Sequence, residues 1–206
     1  MEENIVVKLT AKDDKYACAL ADKIISESQE TDEWYEYFDD FASLLDHPKS
    51  LVRNRVLHIL AANAQWDEEN HFDSIISDFL THIMDEKPIT ARQCVKALAQ
   101  VGLAKPQYIP RILSSLKRAD LSKYKDSMRP LIEKDMAETE KILTISSLSV
   151  KPSENAVFSR HFAYLVFQPY VFSLVFALTS RNKGKFFTLR RPPYPAVLRK
   201  YASLPL

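Results

Sequence analysis

Residues 46–61 read DHPKSLVRNRVLHILA, a stretch in which a proline turn leads into apolar residues at helical spacing. Thirty-nine positions further on, residues 85–95 read DEKPITARQCV and repeat the same order of acid, proline, arginine and apolar residue. The same shift aligns apolar residues in both helices of the unit: Val56 with Val95, Ile59 with Leu98, and Leu44 with Ile83. Matching apolar character at a fixed period of this length predicts a stack of helix pairs that bury their apolar faces against one another.

The stretch resembles the HEAT repeat family, whose units place an Asp-Pro turn between two helices and a Val-Arg at the start of the second helix. The resemblance covers residues from about 31 to about 143, judged by the period. It implies an all-α fold, with an α-α superhelix of about three HEAT-like helix pairs over residues 13–145, as in a small bacterial-type member of the family. It also implies structural roles for the motif residues, in which Asp and Arg bridge neighbouring units: Asp46, Pro48, Arg53, Asp85, Pro88 and Arg92.

Helix boundaries follow from caps and prolines. Residues 1–12 are predicted to be a flexible lead, and Asp13 or Asp14 to cap the first helix. Gly102 is expected to end the second helix of the middle unit. Pro110 is expected in the first turn of a later helix, where a missing N–H costs little, and Pro130 either near the start of the last helix or at a kink in it.

Composition sets the fold class and the compartment. Two glycines in 206 residues disfavour an all-β chain, which needs Gly-rich turns. Cys18 and Cys94 lie in apolar helical patterns without paired spacing, so both are predicted to be buried and reduced. The acidic N-terminus lacks a signal segment, and we expect a cytoplasmic protein.

Charge divides the chain into an acidic body and a basic tail. Residues 151–206 contain nine Lys and Arg against one acid, Glu154, whereas residues 1–150 contain nineteen against twenty-six Asp and Glu. Within the body, residues 22–46 hold nine acids and one base, Lys23. Such a run favours a solvated helix face, with a docking site for a basic partner as the alternative.

The tail, residues 146–206, begins with a linker-like segment and loses the repeat pattern. Residues 162–180 are uncharged and are flanked by basic residues, so one hypothesis is a membrane span with the C-terminus in the cytoplasm. A second hypothesis is a β-rich segment, because aromatic and β-branched residues are frequent. A third is an accidental, out-of-frame extension, and the sequence leaves all three in place.

Catalytic signatures are missing from the sequence. Two glycines cannot form a phosphate-binding loop, and no HExxH, GxSxG or paired-cysteine pattern occurs. The spacing of His58, His71 and His82 does not place them on one helical turn, so ordinary surface histidines are favoured over a metal site. We therefore predict a chain without cofactor, metal or catalytic residue.

The function predicted from these observations is a non-catalytic scaffold or adaptor that binds a protein partner through the second helix of each pair. The predicted contact residues are polar positions expected to point outward: Asn54, His58, Gln65, Gln93, Gln100, Lys134 and Lys141. For each single residue, an ordinary solvent-exposed side chain is the simpler interpretation.

Two alternatives come from other functional classes. Some bacterial helical-repeat proteins with a similar architecture are alkylpurine DNA glycosylases, and this function needs a basic surface with an aromatic residue and a carboxylate. Trp66 with Asp67 is the nearest such pair, but it lies among acids on an acidic body, which disfavours nucleic acid. The other alternative is an adaptor anchored in the membrane through residues 162–180.

Overall fold

A computed structural model of the chain describes residues 4–149, which contain helices and short 3₁₀ turns and no strand. The predicted all-α fold is confirmed for these residues. The helices are α1 (Ile5–Leu9), α2 (Asp14–Glu27), α3 (Phe38–Ala42), α4 (Ser50–Asn63), α5 (Phe72–Thr81), α6 (Pro88–Ala104), α7 (Ile109–Arg118) and α8 (Arg129–Ser149). The 3₁₀ turns are Glu33–Tyr37, Ala64–Trp66, His82–Met84 and Pro106–Tyr108. We refer to α3 with α4, α5 with α6, and α7 with α8 as the first, second and third pair.

The second helices of the pairs pack on one another in chain order. Helix α2 contacts α4, α4 contacts α6, and α6 contacts α8. Aromatic rings connect the first helices of the first two pairs to each other and to the turn before α7. The ring centroids are 5.6 Å apart for Phe38 and Phe72, and 6.2 Å apart for Phe72 and Tyr108. One apolar core therefore extends from Leu9 near the N-terminus to Leu143 in α8.

The predicted flexible lead is wrong for residues 5–9, which form α1. The Asn4 side chain caps this helix by accepting a hydrogen bond from the Val6 N–H at 2.8 Å. Ile5 and Leu9 are buried in the core. Helix α1 was not predicted because five residues give too little periodicity to identify a helix.

Three boundary predictions are confirmed. The Asp13 side chain caps α2 by accepting from the N–H groups of Lys15 and Tyr16. Pro110 lies in the first turn of α7, and Pro130 is the second residue of α8. In these positions a proline lacks only an N–H that has no partner within the helix.

The prediction that Gly102 ends a helix is wrong, because Gly102 is buried within α6. A Cβ at this position would lie 2.5 Å from Cδ2 of Leu143 in α8. The glycine therefore allows α6 and α8 to approach closely. A single sequence cannot indicate this, since the facing residue is 41 positions away in the chain.

The cysteine prediction holds for only one of the two residues. Cys94 is buried, and its thiol lies 3.3 Å from the Phe79 carbonyl oxygen. Cys18 is exposed on α2, so the prediction of burial is wrong there.

Most of the predicted tail lies outside the described residues. Residues 146–149 belong to α8, so the predicted linker does not begin at residue 146. The hypotheses for residues 162–180 concern a segment that the structure does not describe. Among residues 4–149, no helix has the length and apolar character needed to cross a membrane.

Candidate functional site

The joint between the first and second pairs is a buried ion pair. Arg53 in α4 donates from Nε and Nη2 to the two carboxylate oxygens of Asp85, both at 2.8 Å. Its third nitrogen, Nη1, donates to the carbonyl oxygens of His47 and Pro48 in the preceding turn. Arg53 thus connects the turn of one pair to the turn of the next, and we call this contact the first joint.

Asp85 receives further donors within its own turn. The Lys87 N–H lies 2.8 Å from Oδ1, and Nδ1 of His82 lies 3.0 Å from Oδ2. Burial by itself would raise the pKa of the Asp85 carboxyl, but hydrogen bonds from Arg53, Lys87 and His82 hold it below the usual value. The carboxylate is therefore charged and satisfied at neutral pH.

Asp46, the aspartate at the matching position of the first pair, forms no hydrogen bond or ion pair with an arginine among residues 4–149, although Arg53 interacts with it electrostatically. Its side chain is 84% exposed. One period before Arg53, the chain carries Asp14 in place of an arginine. Asp14 accepts hydrogen bonds from Lys49 at 2.7 Å and from Arg55 at 3.0 Å. At the start of the stack an acid thus occupies the position that a basic residue, Arg53, occupies one period later.

The joint between the second and third pairs uses a different acceptor. Position 124, one period after Asp85, is a tyrosine, whose hydroxyl donates to the Asp85 carbonyl oxygen at 2.6 Å. Arg92 donates to Asp135 within α8, with Nε 2.5 Å from Oδ2. Lys96 lies 3.8 Å from the same carboxylate. We call this contact the second joint.

The prolines of the two turns have unequal roles. Pro88 is the first residue of α6, where its ring fits the helical backbone. Pro48 lies in the turn before α4, is exposed, and contributes its carbonyl oxygen to Arg53.

Asp67 forms a third buried polar centre, on the side of the stack where the pairs are connected. Its carboxylate accepts from the Tyr35 hydroxyl at 2.6 Å and from the N–H groups of His71 and Phe72. Lys105 Nζ lies 3.1 Å from Oδ2. Burial opposes the charged form, but these donors hold the pKa of Asp67 below its usual value. Because the carboxylate is fully engaged, it is poorly suited to act as the base of a DNA-processing enzyme.

Trp66, the aromatic residue of that alternative, also has a structural contact. Its indole N–H donates to the Ser28 carbonyl oxygen at 2.7 Å, and Gln65 donates to the same oxygen at 2.7 Å. Together they satisfy a carbonyl group at the end of α2 that the helix itself leaves without a donor.

The predicted contact residues of α4 and α6 are half-buried rather than exposed. His58 Nε2 and Gln93 Oε1 lie 2.8 Å apart, so two predicted contact residues bind each other across the two helices. Burial lowers the pKa of His58, which favours the neutral ring and a hydrogen bond donated to Gln93. Oδ1 of Asn54 is buried without a hydrogen-bond partner among the described residues. Gln100 is half-buried on the same helix as Gln93.

The predicted contact residues of α8, Lys134 and Lys141, are exposed. Lys134 forms an ion pair of 3.8 Å with Glu138 one turn later on the same face. Glu138 and Lys96 are close enough to interact electrostatically, which places this face of α8 beside α6. Except for Gln65, which binds the end of α2, the predicted residues therefore share one surface of the stack.

Three exposed apolar residues occur on this surface and were missed from the sequence. Leu51, Ile89 and Leu131 are 46%, 58% and 39% exposed. Each lies three or four positions before a predicted contact residue, Asn54, Gln93 or Lys134, and thus on the same helix face. We define the second-helix face by these residues: Leu51, Asn54, His58, Ile89, Gln93, Lys96, Gln100, Leu131, Lys134, Glu138 and Lys141.

The signal for these residues was present in the sequence. Each of the three second helices has an apolar residue near its start, one turn before a polar position, although the three are 38 and 42 positions apart and not at the 39-residue period. These residues were missed because contact residues were predicted among polar positions only, although many apolar side chains remain exposed in folded proteins.

The described residues offer no metal centre. Between residues 4 and 149, no three His, Cys, Asp or Glu side chains come together in a way that could hold a metal ion. His82 lies near Asp46 and Asp85, whereas His58 binds Gln93.

No protein-family description, curated protein or solved structure matches this chain.

Proposed function

We propose that residues 13–145 form a short α-α superhelix of about three HEAT-like helix pairs that acts as a non-catalytic scaffold or adaptor. In this proposal the second-helix face binds a protein partner. The consecutive contacts of α2, α4, α6 and α8 and the bridge from Arg53 to Asp85 support the superhelix.

The observation that carries the binding function is the recurrence of an exposed apolar residue at the start of three successive second helices. Leu51, Ile89 and Leu131 each expose more than a third of their surface, although the helices around them are well packed. Helices in contact lie about 8–10 Å apart, so the three side chains would form a row across the stack. Protein interfaces typically place such apolar anchors beside polar groups that fix orientation.

The polar part of the face restricts the kind of partner. His58, Gln93 and Gln100 are uncharged at neutral pH. Lys134 is paired with Glu138 and Lys96 with Asp135, which leaves Lys141 as the remaining cation of the face. The face therefore suits a protein segment that presents apolar side chains and neutral hydrogen-bonding groups rather than a polyanion. Nucleic acid would require a surface dominated by Lys and Arg.

The test compares two surface variants of the full-length chain. Leu51→Ser with Ile89→Ser removes two members of the row, and Val7→Ser removes an equally exposed apolar side chain on α1. A partner captured by the wild-type chain is then purified and titrated against all three proteins. We expect the double variant to bind about tenfold or more weakly and Val7→Ser to bind like the wild type.

Melting temperatures provide the control for folding. All three substituted side chains are exposed, so we expect the free energy of unfolding to change by about 0.5 kcal/mol or less per site. Equal affinity of the double variant and the wild type would exclude the second-helix face. His58 is unsuitable for this test, because its bond to Gln93 couples binding to stability.

A further inference from the structure

His82 occupies a buried position between the turns of the first two pairs. It lies in the 3₁₀ turn after α5 and is 5% exposed. Its Nδ1 contacts Oδ2 of Asp85, at 3.0 Å, in its own turn. Its Nε2 has no hydrogen-bond partner among the described residues and lies 3.8 Å from Oδ1 of Asp46, in the preceding turn.

The charge of the ring decides whether the contact with Asp46 is favourable. A neutral ring that donates from Nδ1 to Asp85 carries a lone pair on Nε2. This lone pair then faces the Asp46 carboxylate, which also can only accept. Protonation places an N–H on Nε2 and converts the approach into a charge-assisted hydrogen bond.

Asp46 is free to respond because the first pair lacks its arginine. Its side chain is 84% exposed. Arg53 interacts with it electrostatically, but among the described residues no lysine or arginine forms a hydrogen bond or ion pair with it. A rotation of an exposed carboxylate is sufficient to close a gap of 3.8 Å to hydrogen-bond distance. Asp85, in contrast, is fixed by Arg53 and the Lys87 N–H.

The other ionisable groups around His82 come from every neighbouring element. Besides Asp46 and Asp85, they are Arg53 and Glu86 near the ion pair, His47 in the preceding turn, Cys94 in α6, and Lys123 and Tyr124 before α8. The Lys123 ammonium donates to the Met84 carbonyl oxygen in the turn of His82. The two aspartates and Glu86 outnumber the two cations, Arg53 and Lys123, by one charge. A neutral His82 therefore leaves the cluster with net negative charge, which protonation reduces.

We propose that His82 makes the joint between the first two pairs sensitive to pH, because its protonation at Nε2 engages Asp46 and ties the two turns together. Histidine is the side chain whose charge ordinarily changes between about pH 5 and pH 8. The added contact is thus present in mildly acidic solution and lost toward alkaline pH. This inference does not depend on the proposed binding function.

The experiment measures thermal unfolding of the full-length chain at about pH 7.8 and about pH 5.6, on either side of histidine titration. Asp46→Asn keeps the size of the side chain and removes its charge. Asp78→Asn, an exposed aspartate on α5, is the matched control. We expect Asp46→Asn to melt within about 1 °C of wild type at the higher pH and about 2–4 °C below it at the lower pH.

Asp78→Asn should show the same difference from wild type at both pH values. An equal effect of Asp46→Asn at both pH values would overturn the proposal. So would a pH-dependent effect of the same size in Asp78→Asn, because it would reflect overall charge rather than the His82 contact.

His47 is adjacent to Asp46 in sequence and must be separated from His82. The pH-dependent effect of Asp46→Asn should persist in a His47→Gln background and vanish in a His82→Gln background. If His82→Gln does not fold, the imidazole signals of wild type and Asp46→Asn are followed by NMR instead. The protonation midpoint of His82 should then fall to lower pH in Asp46→Asn, and an unchanged midpoint would refute the contact.

Discussion

The two joints of the stack perform the same task with different chemistry. In the first joint, Arg53 binds the turn aspartate Asp85, and both side chains are less than a tenth exposed. In the second, Arg92 binds Asp135 within α8, and the Arg92 side chain is 23% exposed. Lys96 lies 3.8 Å from that aspartate as a second cation. The first joint is therefore dry and pairs Asp85 with one arginine. The second joint is more exposed to solvent, and its aspartate, Asp135, is shared by Arg92 and Lys96.

This difference shows that a repeat can keep an interaction while moving the residue that makes it. Tyr124 stands where a turn aspartate is expected and bonds the Asp85 carbonyl oxygen instead. Asp135, eleven positions later in the chain, accepts the arginine. The donors Arg53 and Arg92 are one period apart in the chain. Their acceptors, Asp85 and Asp135, are not, because the acceptor of the second joint depends on how α8 packs against α6.

The largest loss of stability is expected from Val56→Asp, which tests whether Val56 lies on the inward, buried face of α4. Val56 has no exposed surface and lies one turn after Arg53. A buried carboxylate without a partner costs several kcal/mol, on the order of the whole stability of a small domain, so we expect the chain to unfold. Circular dichroism with thermal melting measures this.

Leu51→Asp is the matched control, because it introduces the same charge on the same helix at an exposed position. It should melt close to wild type. A folded, cooperatively melting Val56→Asp protein would mean that the assigned inward face of α4 is wrong.

Gly102→Val should weaken the second joint by filling the space between α6 and α8. Its Cβ would lie 2.5 Å from a methyl carbon of Leu143, which is itself completely buried. We expect a loss of about 1–3 kcal/mol, measured by urea unfolding. The loss should be smaller in a Leu143→Ala background, where the clashing carbon is absent. An equal loss in both backgrounds would indicate a backbone effect of the substitution and not a clash.

Lowering the pH should weaken the first joint by protonating Asp85. The effect on the free energy of unfolding should be small at the pH values where most carboxylates are still charged. The folded-state pKa of Asp85 is lower than its unfolded value, which is near 3.9. The stabilisation is therefore complete above about pH 5, clear of the unfolded pKa, and is lost as the pH falls through the folded value. Urea unfolding between about pH 6 and about pH 3 should show a steeper loss for wild type than for Asp85→Asn. Parallel curves would contradict this assignment.

The sequence predicts the helices after α1 and the turns between them, because these depend on residues close together in the chain. The roles of the arginine donors came from the family resemblance. Asp13 and Pro110 act as local rules expect. It does not predict the role of Gly102, which depends on Leu143 in another helix. The same limit applies to Asp135 as the partner of Arg92.

The candidate site shows the same division. Polar positions on one face of α4 and α6 were predicted from helical spacing, but the bond between His58 and Gln93 was not. Helical spacing gives the side of a helix on which a residue lies, and not how closely the next helix approaches. The exposed Leu51 and Ile89 were missed because only polar positions were considered as contact residues.

Urea unfolding of Arg53→Met and Arg92→Met, in the full-length chain at neutral pH, tests the difference between the two joints most directly. Arg53→Met leaves the buried Asp85 charge without its cation, so we expect a loss of about 3–5 kcal/mol. Arg92→Met leaves Asp135 close to Lys96, and we expect a loss of about 1–2 kcal/mol, since partly exposed ion pairs contribute less.

Arg118→Met, on the exposed surface of α7, should change the free energy of unfolding by about 0.5 kcal/mol or less. A clearly larger loss for Arg53→Met than for Arg92→Met is the predicted result. Equal losses, or a larger loss for Arg92→Met, would contradict a dry first joint and a shared second joint.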